Sequence, residues 1–271
     1  MEFIDTHCHI QSAGRSDGER STSETWAKNP VLTATTLAAD AQSAGISQLV
    51  TVGCDLADSR LAIAVAQAHS HVWASVGIHP HEAKDYAHDE AARAAFAELA
   101  TQPAVVAIGE CGLDYYYGHS PKADQLVTLR FQLELAAQHD LPLIFHVRDA
   151  FDDFWPVFDD YPGVRGVLHS YTDSIVNLER AVQAGLFIGV NGIATFAKQP
   201  EQLAMYRAIP AANLVLETDA PFLTPAPYRG KVNEPKQVIT VAAFLSNLYS
   251  VDLSSLAATT TANAKTLFGL K

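Results

Sequence analysis

What this chain can fold into is constrained first by an alternation. Eight short apolar or β-branched runs, Phe3–His7, Ile46–Val52, Val72–Ile78, Val105–Glu110, Leu143–His146, Gly166–His169, Leu186–Val190 and Leu214–Glu217, are separated by longer segments of helical periodicity. The clearest of these is Lys122–His139, where Leu126, Leu129, Leu133 and Ala136 or Ala137 fall on one face. Leu61, Val65 and Ala68 do the same between the second and third runs. Strands alternating with helices argue for α/β, a parallel sheet with helices outside it, and eight strands close such a sheet into a (β/α)8 TIM barrel. That barrel needs about 250 residues, so the 271 present are expected to form a single domain, 1–271. The rival architecture, an open doubly wound sheet, would carry a glycine-rich nucleotide turn, which is missing. Hydrophobic residues at 48% can fill a large core, and only 18% charged residues argues against disorder.

Barrel sites form at the C-terminal ends of the strands. Two segments stand out there: polar Gln11–Pro30 after the first strand, and proline-rich Pro221–Pro235 after the last. The same ends carry candidate ligands. His7 and His9 are two apart, so on a strand they point the same way. Glu110, His146 and His169 end the fourth, fifth and sixth strands, and Asp219 lies two residues beyond Glu217. Each alone reads as a hydrogen-bonded histidine, a salt-bridged carboxylate or a turn residue. Together, at the correct ends of the correct strands, they read as a ring of metal ligands.

The motifs around these positions resemble the TatD family of metal-dependent deoxyribonucleases, within the wider amidohydrolase-like barrels. They are DTHCHI (Asp5–Ile10), GIHPH (Gly77–His81), IGECGLDYYY (Ile108–Tyr117), LPLIFHVRDA (Leu141–Ala150), GVLHSYTD (Gly166–Asp173), LETDAPFLTP (Leu216–Pro225), RGKVNEP (Arg229–Pro235) and a closing TANAKTLFGL (Thr261–Leu270). The resemblance runs in order over nearly the whole chain. It implies that His7, His9, Glu110 and Asp219 hold one metal, and that Glu110 bridges to a second held by His146 and His169. Two departures stand out: Ser170-Tyr171 where the family often has Cys-Phe, and a Gln11–Pro30 segment longer than usual.

Two divalent ions about 3.5–4 Å apart can share a hydroxide and polarise a phosphate or carbonyl oxygen. The expected activity is therefore a two-metal hydrolase, read as an exonuclease-type deoxyribonuclease with Asp219, Glu110 and Arg148 as catalytic residues. Asp219 either takes and passes the proton or serves as a ligand alone. Four imidazoles and two carboxylates suit Zn, Mn, Fe, Co or Ni better than Mg, although the resemblance associates Mg with activity.

The net charge of −12 excludes a broad basic grip on nucleic acid. Two divalent ions set against two carboxylates nevertheless leave the mouth at about +2, enough to draw an anion. Arg148, two residues after His146, points to the same side and can fork a phosphate. Arg229 and Lys231 lie in the loop after the last strand. His79 and His81 contact phosphate or stabilise their loop. Of Tyr115, Tyr116 and Tyr117, which cannot all face one way, Tyr115 is taken as a base-stacking candidate. Asp114 and Glu217 are expected to orient histidines. The expected partner is a DNA end or single strand, with no stable protein partner and no membrane. Cys8, Cys54 and Cys111, an odd count without CxxC, and an N-terminus lacking a signal pattern point to the cytoplasm. Other readings stay open: a hydrolase of a small ester, amide, lactone or phosphotriester, an aminoacyl-tRNA deacylase, or a scaffold without activity.

Overall fold

Eight strands fall where the apolar runs lie: β1 (Phe3–Cys8), β2 (Ile46–Val52), β3 (Val72–Val76), β4 (Val105–Asp114), β5 (Leu143–Arg148), β6 (Gly166–Leu168), β7 (Phe187–Val190) and β8 (Leu214–Leu216). The structure, a computed structural model, describes residues 1–16 and 20–271. Each strand pairs in parallel with the next, in the order β1 to β8. The ring closes between last and first: the Asp219 N–H donates to the His7 carbonyl (2.8 Å), the His9 N–H to the Ala220 carbonyl (2.7 Å), and the Thr6 hydroxyl to the Leu216 carbonyl (2.9 Å). The result is the (β/α)8 barrel that the alternation predicts, with its seam beside the candidate ligands.

Strands buried on both faces read as continuous apolar runs, which is why the sequence locates them. One cluster packs their outer faces, including Leu49, Ala74, Ile108, Phe145 and Leu168, against helix residues such as Leu37, Ala62, Leu129 and Phe154. A second draws Ile4, Val50, Val106, Ile144, Val167 and Val215 together with Leu267 and Phe268 of the last helix. Ile144 and Val167 precede His146 and His169 by two, so an apolar layer underlies the histidines on the same face.

The structure departs from the sequence reading at several points: β3 stops at Val76, short of Ile78, and β5 runs past His146 to Arg148. β4 continues past Glu110 to Asp114, pairing Gly112 with His146 and Asp114 with Arg148. Its Cys-Gly-Leu-Asp end lacks β-branched residues, and the close approach needs the glycine. Gly112 has φ +142°, and a Cβ there would overlap the His146 carbonyl oxygen. The helix Leu56–Ala68 buries Asp58, Ser59, Ala62, Ile63 and Ala66, while Leu61 and Val65 are half-buried and Ala68 is exposed. Its inward stripe carries polar groups that an apolar count misses. Finally, Gln11–Pro30 is not all surface loop. Gln11 and Ser12 are buried, and a short helix spans Arg20–Trp26. The indole of Trp26, 1% exposed, donates to the His9 carbonyl (2.9 Å). Residues 17–19 of that segment lie outside the described residues.

Among the described residues no single helix is long and apolar enough to cross a membrane.

Candidate metal centre

β1 delivers His7 and, just past its end, His9. The His9 Nδ1 lies 2.8 Å from the Val52 carbonyl oxygen, so in the neutral ring Nδ1 carries the proton and Nε2 keeps its lone pair for the site. Nε2 sits 3.2 Å from His7 Nε2 and 3.3 Å from Asp219 Oδ1. His7 Nε2 is in turn 3.4 Å from Glu110 Oε2 and 3.6 Å from Asp219 Oδ1. Among the described residues, the buried His7 Nδ1 has no hydrogen-bond partner.

Glu110 presents its two oxygens to different neighbours. Oε2 faces His7, whereas Oε1 lies 3.0 Å from His146 Nδ1, 3.6 Å from His79 Nε2 and 3.9 Å from His169 Nε2. Burial alone would raise the Glu110 pKa, but His79, His7 and His169 hold it well below the usual carboxylate range. The His169 ring stacks on that of His7 at 3.5 Å, with its Nε2 4.0 Å from Asp219 Oδ1. Asp219 has a left-handed backbone, φ +57°. Burial opposes its ionisation, and His9, His169 and His7 outweigh it.

Carboxylates behind the histidines fix their orientation. Asp114 Oδ2 lies 3.0 Å from both His146 Nε2 and His81 Nε2, while Oδ1 accepts the backbone N–H groups of Tyr116 and Tyr117. Glu217 Oε1 lies 3.0 Å from His169 Nδ1 and accepts from the Ser170 N–H (2.7 Å) and the Asn191 amide (3.0 Å). Burial disfavours charge on all three outer histidines, yet the carboxylates win. Asp219 raises His9 to about 9, Asp114 and Glu110 raise His146 to about 9, and Glu217 and Glu110 raise His169 to about 10. His7 goes the other way, lowered by burial and by His169.

The donor spacing tests whether a cation fits. Ligands 2.0–2.1 Å from one tetrahedral ion stand about 3.3 Å apart. The contacts linking His7, His9, Glu110 and Asp219 run from 3.2 to 3.6 Å. Groupings of this kind recur as His7–His9–Glu110, His7–His169–Asp219 and His79–Glu110–His146. The cluster is able to hold metal.

Arg148 ends β5, exposed, with its guanidinium 4.0 Å over the Tyr116 ring and 4.8 Å from that of Tyr117. With Tyr116, His146 and His169 it lines a cleft of about 930 Å³. Tyr115 faces elsewhere: its hydroxyl donates to Asp153 (2.8 Å) and the Lys122 ammonium lies 3.7 Å over its ring. Tyr116 is thus the tyrosine that lines the cleft with His146 and His169, while the Tyr117 ring lies 5.4 Å from that of His81. His79 and His81 stand next to each other, ring centroids 4.3 Å apart. Arg229 lies farther out, 5.3 Å over Phe196.

Several supports escape a search for ligands. The buried Asp5 accepts from the Thr218 N–H (2.9 Å) and hydroxyl (2.6 Å), tying β1 to the chain just before Asp219. Asp58 accepts from Gln11 (2.8 Å), Ser12 (3.2 Å) and the Cys54 N–H (3.1 Å). Gln132 receives the Ile78 N–H (2.7 Å) and returns its amide to the Ile78 carbonyl (3.1 Å). The available signal is polar residues at helical spacing on a core-facing stripe.

The family described as TatD related DNase matches residues 4–269. The 3′–5′ ssDNA/RNA exonuclease TatD of Escherichia coli (strain K12) is 36% identical over 236 residues, covering 84% of this chain and 89% of that protein. A metal-dependent hydrolase of Bacillus subtilis (strain 168), YabD, is 35% identical over 232 residues, with coverages of 84% and 89%. Among solved structures, YJJV, a TatD homolog from Escherichia coli K12, superposes with a TM-score of 0.85 at 28% identity, covering 99% of this chain and 98% of that one.

Proposed function

The chain belongs to the TatD related DNase family, and from that membership we infer that it is a two-metal hydrolase of phosphodiester bonds, a 3′–5′ exonuclease on single-stranded DNA or RNA. The observation that carries the reading is the split of the Glu110 carboxylate, one oxygen toward His7 and the other toward His146. One cation would be held by His7, His9, Glu110 and Asp219, and a second by Glu110, His146 and His169. When bound, the ions would supply a nucleophile from water at neutral pH and draw charge from the phosphate.

The chain's own groups do the rest. Asp219 meets the histidines through Oδ1, and in this reading its second oxygen takes the proton and passes it toward the leaving oxygen. Arg148, steadied on Tyr116, holds a phosphate beside His146. Imidazole-rich donors favour Zn, Mn, Fe, Co or Ni at rest, with Mg able to support turnover. Residues 1–271 act as one catalytic unit. The buried thiols of Cys8 and Cys111 support a cytoplasmic location.

The test is a time course on 5′-labelled single strands of DNA and RNA, beside covalently closed duplex circles and a carboxyl ester. Stepwise shortening that stops with a chelator and returns with added metal is expected. Ester hydrolysis without strand shortening overturns the reading.

A further inference from the structure

Two clefts open beside the metal centre, separated by a ridge of Ile193 and Phe196 that lines both. His146 and His169 line the first. The second, about 850 Å³, is lined by Phe222, whose ring lies 6.4 Å from that of His9. One cleft therefore opens at the His146–His169 end of the centre and the other near its His9 end.

Among the described residues the two clefts differ in sign. Lys28, Arg229 and Lys231 line the second against a single carboxylate, Glu234, which is itself 2.7 Å from Lys236. Arg148 is the one arginine or lysine of the first, set against Asp149, Asp173 and Glu201. A nucleic-acid strand carries one charge per linkage, so several consecutive phosphates are held only by the cationic cleft. The acidic cleft repels further phosphate, while its carboxylates can accept hydroxyl protons from a sugar. Tyr116, 59% exposed and backed by the Arg148 guanidinium, offers a stacking face for one base.

We propose that the body of the strand lies in the Lys28–Arg229–Lys231 cleft and the terminal nucleotide in the Asp149–Asp173–Glu201 cleft, so that the enzyme selects a 3′ end bearing a hydroxyl and rejects one bearing a phosphate. This rests on the exonuclease reading above.

The experiment uses the metal-loaded full chain and a 5′-labelled dodecanucleotide ending in either a 3′-hydroxyl or a 3′-phosphate. The phosphate is expected to lower kcat/KM roughly tenfold or more, from charge repulsion in the cleft. In an Asp149→Asn, Glu201→Gln double variant that discrimination shrinks; asparagine tolerates the left-handed backbone of residue 149, φ +53°. In a Lys28→Ala, Lys231→Ala variant the ratio of kcat/KM for the dodecanucleotide over a dinucleotide falls about tenfold, and the salt slope becomes shallower by roughly 0.7 for each phosphate left without its lysine. Equal rates on both 3′ ends, or equal losses on long and short substrates, overturn the proposal and leave the exonuclease reading standing. No shortening of either strand by the loaded wild type overturns both.

Discussion

Asp219 Oδ1 meets His9 Nε2 at 3.3 Å, and Asp219 reaches that position from a left-handed backbone, φ +57°. Few residues adopt that conformation at low cost; asparagine and aspartate are among them. Asp219→Asn therefore removes the charge and the proton-accepting oxygen without asking the chain to move. We expect most of the metal to remain and turnover to fall about 10²–10⁴-fold, the usual scale for a positioned acid or base. Metal content measured alongside rate decides the matter: a loaded variant of normal rate would reduce Asp219 to a ligand.

Metal binding should release protons. His9 and His146 are raised to about 9 and His169 to about 10, so all three are protonated near pH 7 in the metal-free site. A cation must displace those protons. Apparent affinity should climb from pH 6.5 to about 9–10 and flatten above. Titrating metal in weakly buffered indicator reads the protons directly, and a pH-independent affinity with no release would contradict the assignment.

The same shifts set how the metal-free fold responds to pH. Groups with raised values contribute stability that is fully present below about 6.5 and is lost as pH rises through 9 to 10. Glu110 and Asp219, both lowered, contribute above the ordinary carboxylate values of 4.5 and 3.8 and lose that contribution only in acid. Calorimetry should find a lower Tm at pH 9.5 than at pH 7 for chelated protein, and little change for loaded protein. A chelated Tm flat across that range would count against the paired histidines.

Arg148→Ala should spare metal content and lower kcat/KM on single strands. A charge-assisted hydrogen bond to phosphate is worth about 1.5–3 kcal/mol, or roughly 10–100-fold. Because the guanidinium lies 4.0 Å over the Tyr116 ring and its fork can grip phosphate at two points, Arg148→Lys should recover only part of it. Full recovery by lysine would mean that only the point charge matters.

Gly112→Ala is expected to cost about 2–5 kcal/mol, combining backbone strain with a Cβ forced onto the His146 carbonyl. Yield, Tm and metal content should all drop, and in protein that does fold the loss should fall on the ligands around His146. An unaltered Tm would show that β4 and β5 can separate without penalty.

The barrel was legible because strands buried on both faces cannot avoid apolar runs, and the ligand candidates were legible because strand ends are where a barrel gathers side chains. Contacts reached by side-chain direction were not. Tyr115, Tyr116 and Tyr117 are adjacent in sequence, yet the first turns to Lys122 and Asp153 and the second to Arg148. Nothing in their order says which. Gln125, Thr128 and Gln132 occupy the buried face of Lys122–His139 beside Leu129 and Leu133. An apolar pattern treats them as interruptions, whereas Gln125 and Gln132 hold the backbone of Asp114 and Ile78.

The seam of the barrel has a consequence for synthesis. His7 and His9 leave the ribosome well ahead of Asp219, which emerges only after all eight strands have been made. Until then β1 has no neighbour on one edge, and its histidines lack the carboxylate whose backbone N–H closes the ring onto the His7 carbonyl. A fragment ending before β8 has neither a closed sheet nor a complete set of ligands. In the exonuclease reading, a nascent chain made beside its own single-stranded message is harmless to it, because cutting power arrives only when the circle of strands is joined.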